Sequence, residues 1–249
     1  MNNSKSATRP AERVYSAIYE AVQAHRLAPG EKLKEVELSQ IFQVSRASIR
    51  SAFQRLSHQG LLSIAPNRGA SVASLTPEDG RQIFAARRAI ESAIVDELAR
   101  AARPADVALL RRQANKQRAA FQAGDTKKGH ALAIEFHHLL GQLSTNRILA
   151  RFLDQLLSRM PLVVLTRGGT REPLEAAHRD HEGHMEIVDA IAKGDAAGAA
   201  RILREHLHDV EAELDRQRSR PAESMAEILG VSAPARTPAR RVIRQRVRS

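Results

Sequence analysis

The sequence predicts a mainly α fold in two parts: three helices with a β-hairpin at the N-terminus, then an all-α bundle of about six helices. Three observations predict it. Apolar residues recur at helical spacing along most of the chain, the two β-prone runs lie together (LLSIA at 61–65 and ASVAS at 70–74), and basic charge gathers at the ends. Residues 1–75 carry ten Lys/Arg against five acids, 76–218 carry 22 against 21, and 219–249 carry seven against two. The expected organisation is a flexible N-terminus at 1–9, a head at 10–75, a helical domain at 76–218 and a basic, disordered tail at 219–249.

The elements follow in order. RVYSAIYEAVQAHRL (13–27) sets Val14, Ala17, Ile18, Ala21 and Val22 on one helical face, and Pro29-Gly30 stops it. EVELSQIF (35–42) reads as a short helix, and Ser45 is placed to cap a second one that Gly60 closes. Two short helices with a tight turn between them have the form of a helix-turn-helix, and the β-prone runs around Pro66-Asn67-Arg68-Gly69 make a wing with a basic tip. From Thr76 onward the periodicity is helical, punctuated at Pro104, Gly124-Asp125, Asn146, Gly168-Gly169 and Gly194-Asp195.

Charge localised at the ends is an electrostatic footprint for phosphate. With 3% aromatic residues and no Trp, stacking on single strands is disfavoured, so the expected partner is double-stranded DNA. Arg46 and Arg50 lie i,i+4 on the second short helix, spaced to enter one groove together, and arginine suits bidentate contact with guanine. The absence of cysteine excludes disulfides, zinc–cysteine sites and thiol catalysis. No apolar run exceeds about five residues, so no membrane partner is expected, and MNNSKSATRP does not read as a signal peptide; the expected location is cytoplasmic. HEGHM (181–185) sets His181 and His184 i,i+3 rather than the i,i+4 of a zinc-protease helix, and no phosphate loop or nucleophile elbow appears, so the chain is not expected to be an enzyme.

PGEKLKEVELSQIFQVSRASIRSAFQRLSHQGLLSIAPNRGASV (29–72) resembles the winged helix-turn-helix of the GntR family of transcription regulators. The marks are Pro29-Gly30, Val44-Ser45-Arg46, Arg50, Leu56, Gly60-Leu61 and Asn67-Arg68-Gly69. The resemblance implies DNA contacts by Arg46 and Arg50, with Ser48 and the wing tip Asn67, Arg68 and Gly69 as lesser ones. Where FadR-like members carry a DNA-touching Arg, this chain has Val36. Residues 77–215 resemble the FCD ligand domain of the FadR subfamily, which implies a homodimer on an inverted-repeat operator, repressor action and a small organic acid effector.

That resemblance also implies a divalent metal, zinc or nickel, with no organic cofactor. Three family ligand positions are kept as His137, His184 and His206, but the family's Asp position, four before His137, is Ala133. His181, one turn before His184, is the candidate substitute ligand. Arg87 and His130 are candidate effector contacts. Two other readings are a constitutive DNA-binding or architectural protein with a degenerate pocket, and a metal-dependent enzyme.

Overall fold

The computed structural model describes residues 10–65, 69–166 and 174–219, the side chains of 174–181 and 217–219 excepted. The head comprises α1 (Pro10–Gln23), β1 (Lys32–Leu33), α2 (Glu35–Phe42), α3 (Arg46–His58), β2 (Leu62–Ala65) and β3 (Gly69–Val72). Helix α1 stops short of the expected Leu27. His25 takes left-handed backbone at φ 55°, and Arg26 N donates to Ala21 O, which closes the helix in a Schellman motif. Ser45 caps α3 as expected, accepting from Ser48 N at 3.2 Å.

The wing is a three-stranded antiparallel sheet in the order β1-β3-β2, with Ile64 opposite Ala70 and Ala65 opposite Gly69. β1, only two residues long, adds the strand that the hairpin pattern did not include. Val14, Ile18, Ile49, Phe53, Leu56 and Leu61 bury against Val72 and fill the head.

Seven helices follow among the described residues: α4 (Pro77–Ala101), α5 (Pro104–Gln122), α6 (Thr126–Leu143), α7 (Arg147–Ser158), α8 (Met160–Thr166), α9 (Leu174–Ala192) and α10 (Ala196–Ser219). Thr76 and Asp79 form a capping box at the start of α4, with Pro77 at the first helical position. α5 packs against α6 and α9, and α4 crosses α6, α7 and α9. Phe84, Ile94, Leu110, Phe136, Leu140 and Leu203 are at the centre of that core. No described helix is long and apolar enough to cross a membrane.

The seventh helix arises where α7 breaks at Arg159, two residues before Pro161, which has no N–H to offer Leu157 O and takes the first turn of a new helix instead. The apolar run Pro161–Leu165 thereby becomes a separate turn-and-a-half of helix. Leu162 from this helix is fully buried in the head's core, not the bundle's. Arg159 Nε donates to Gln59 O at the end of α3 (3.0 Å), and Thr166 Oγ1 donates to Leu75 O (3.2 Å). A Cβ at Gly60 would collide with the Arg159 guanidinium, so glycine there, at φ 72°, serves both the turn and this close approach.

Candidate functional site

Two sites can be built from the residues upward. The first is the solvent face of α3. Ile49, Ala52, Phe53 and Leu56 bury its inner side, which leaves Arg46 and Arg50 exposed on the outer one. The Ser48 hydroxyl lies 3.1 Å from the Ser45 hydroxyl, so part of its hydrogen-bonding capacity serves the cap. Arg50 is not simply solvated: its Nε donates to both oxygens of Glu35, at 3.1 and 2.9 Å, from the first turn of α2. Glu35 was missed at the sequence level because its partner is 15 residues away on another helix. Arg55 pairs with Glu12 and lies over the Tyr15 ring, so it ties α3 to α1. Gly69, at φ 76°, opens β3 with nothing near where a Cβ would sit. Asn67 and Arg68 lie outside the described residues.

The second site is buried. His137 on α6, His184 on α9 and His206 on α10 converge, each offering a nitrogen within 4.8 Å of the others. The ring of His184 stacks on Phe136 with centroids 4.1 Å apart, and a Cβ at Gly183 would strike the His206 ring, so the glycine lets α10 come close. The His181 side chain lies outside the described residues. Glu135 accepts from Gln113 on α5 at 3.1 Å, away from the histidines. Ala133 is buried one turn before His137 and lines the adjoining cavity.

Hydrogen bonds fix which atoms face inward. His137 Nδ1 lies 2.5 Å from Glu91 Oε2, and Arg87 Nε donates to Glu91 Oε1 at 2.7 Å. Burial alone would raise the Glu91 carboxyl, but the charge of Arg87 and the hydrogen bonds from Arg87 and His137 hold it low, to about 2. An ionised carboxylate only accepts, so His137 carries its proton on Nδ1. Gln117 Oε1 sits 2.7 Å from His184 Nδ1 and accepts in the same way. Burial lowers the pKa of His137 and takes His206 down to about 3, which keeps both rings neutral. The Nε2 atoms of His137 and His184 face each other across 3.2 Å.

That separation is close to the edge of a tetrahedral zinc–imidazole site, roughly 3.3 Å for bonds of about 2.0–2.1 Å. The carboxylate behind His137 is the usual outer partner of a metal-bound histidine. The donor set therefore fits a borderline divalent cation. The roles of Glu91 behind His137 and of Gln117 behind His184, like that of Gly183, escaped the sequence reading because each is exerted on a different helix.

Beside the histidines is a cavity of about 340 Å³, lined in part by Arg87, His130 and His137. Arg87 is almost wholly buried. Its Nη1 meets Met160 Sδ at 3.5 Å, while its Nη2 has no hydrogen-bond partner among the described residues.

Residues 10–72 match the family described as bacterial regulatory proteins, gntR family, and residues 82–209 match the FCD domain. The chain belongs to the GntR family. As a GntR protein it is a DNA-binding regulator of transcription, with a C-terminal FCD domain of the type that takes small-molecule effectors. It is 27% identical over 199 residues to the HTH-type transcriptional repressor RspR of Escherichia coli K12, spanning 80% of this chain and 86% of that one. The HTH-type transcriptional regulator LutR of Bacillus subtilis is 27% identical over 206 residues, 74% of this chain and 92% of LutR. Among solved structures, E. coli McbR/YncC shares the fold at a TM-score of 0.71 and 23% identity, over 84% of this chain and 98% of that one. A GntR regulator from Rhodococcus sp. RHA1 follows at 0.67 and 26%, over 82% and 96%.

Proposed function

We propose that this GntR protein is a FadR-type homodimer that represses transcription from an inverted-repeat operator and releases it when a small carboxylate binds the helical domain. The working division is a head at 10–75 and a sensing, dimerising domain at 76–218, in the cytoplasm, with the basic tail from 219 adding affinity for duplex DNA. Arg46 and Arg50 read base edges, while Ser48, Asn67, Arg68 and Gly69 make lesser contacts. Two-fold symmetry of the dimer calls for the inverted repeat. The name of RspR as a repressor supports the sign of regulation.

In the helical domain, His137, His184 and His206 hold a divalent metal, zinc or nickel, with His181 as candidate fourth ligand. The metal supplies a Lewis-acid point for an anion. Arg87 anchors the effector's carboxylate, and His130 hydrogen-bonds it. The observation that carries this reading is the pair of inward Nε2 atoms at 3.2 Å, each with its Nδ1 hydrogen bonded from behind.

The test has two arms. Purified protein should contain about one metal per chain and His184→Ala should lose it; metal-free wild type under zinc or nickel supplementation would refute the centre. Arg50→Ala should weaken operator binding tenfold or more, and unchanged affinity would refute the DNA face.

A further inference from the structure

The cavity beside Arg87 is not made by the helical domain alone. Gln23, Ala24 and His25, at the Schellman end of α1, belong to the head, yet they line the same space as Arg87 and His137. The seam is held from a second direction by α8. Met160, Pro161 and Val164 line the cavity, while Leu162 between them is buried in the head's core. Anything in the cavity therefore touches both parts of the molecule.

The lining also speaks to chemistry. Its cationic groups are Arg87, whose charge is already partly met by Glu91 behind it, and the exposed Lys127, and no Asp or Glu lines it among the described residues, so it favours one negative charge. Much of the remaining wall is apolar: Ala133, Val164, Leu207, Val210 and Leu214 have no polar side-chain atoms to offer. A second or third carboxylate set against that apolar wall would go without compensating hydrogen bonds, which is costly. The volume of about 340 Å³ equals that of roughly eleven liquid waters.

We propose that the head completes the effector site, and that the site takes a monocarboxylate with an apolar body of roughly ten non-hydrogen atoms, its acid end on Arg87 and its body between α8, α10 and the end of α1. This rests on the carboxylate-effector reading above and adds to it where the ligand lies and what shape it has. Because the occupant bears on the head directly, its affinity and the seating of the head are linked without a relay along the chain from β3 to α4.

The probes are octanoate, with ten non-hydrogen atoms, and citrate, an acid of similar size without an apolar body. Calorimetric titration of the full-length protein should show octanoate binding at least tenfold more tightly than citrate. Ala24→Trp, which places a ring in the cavity from the head's side, should weaken octanoate tenfold or more while the metal content stays unchanged. If that variant does not fold, His25→Gly serves instead, since glycine relieves the left-handed backbone; it should weaken octanoate about threefold. Wild-type octanoate affinity in a folded Ala24→Trp or in His25→Gly overturns the head's part in the site. Citrate binding without octanoate binding overturns the ligand shape and leaves the effector reading standing. Binding of neither acid overturns this proposal and counts against the effector reading too.

Discussion

The arginines of α3 and the histidines of the bundle are both compact groups of nitrogen side chains, and water separates their chemistry. Arg46 and Arg50 stand in solvent as permanent cations, one of them already leaning on Glu35. His137, His184 and His206 are buried, and hydrogen bonds to Glu91 and Gln117 set the first two rings. Solvated charge suits a polyanion that exchanges with salt, while desolvated lone pairs suit a partner that binds one cation and stays. The same contrast says where mutation should hurt folding and where it should hurt only recognition.

The sharpest way to break the comparison is Glu91→Ala, which leaves Arg87 buried without its carboxylate. A loss of about 3–5 kcal/mol in urea-melt stability is expected. A loss under about 1 kcal/mol would mean that the buried group is no more demanding than the exposed one. Arg46→Ala should do the reverse: specific DNA affinity falls by about 1–3 kcal/mol in anisotropy titrations, while the melt moves by less than about 0.5 kcal/mol.

Acid should separate the two sites again. His206 stays neutral in the fold down to about 3, whereas in the unfolded chain it takes a proton below about 6.5. The unfolded state therefore binds more protons in that window, and stability is full above it and falls as pH drops, by about 1.4 kcal/mol per unit for this group at the steepest. His137, His25 and His130 shift in the same direction. Urea melts in chelator at pH 7 and pH 5 measure the effect, and equal midpoints would contradict it. The smallest effect belongs to Glu35→Ala. Removing this exposed partner of Arg50 should cost about 0–1 kcal/mol of stability and raise DNA affinity at low salt, read as a shift in the binding midpoint.

What could be read from the sequence follows the range of the signals. The Ser45 cap, the turn at Gly60 and the arginine spacing on α3 are encoded within a few residues, and each appears where the pattern put it. The convergence of three histidines was legible only through resemblance, since the chain spaces them over 70 residues. Glu91 is marked locally only as an acid four residues after Arg87; its contact with His137 is not legible until α4 is laid against α6. The break at Arg159 is marked only by Pro161, which cannot continue α7 but fits the first turn of α8, and within an apolar run that signal is easily passed over; the end of α1 was misplaced because a histidine took a backbone conformation usually left to glycine.

Leu162 has a consequence for how the molecule is made. The head is synthesised first, but its core includes a side chain that emerges only after α4, α5, α6 and α7 have been made. At about 5–20 residues per second the nascent head waits several seconds with an open apolar slot. The DNA-binding part of this regulator is thus the first to leave the ribosome and among the last to be finished.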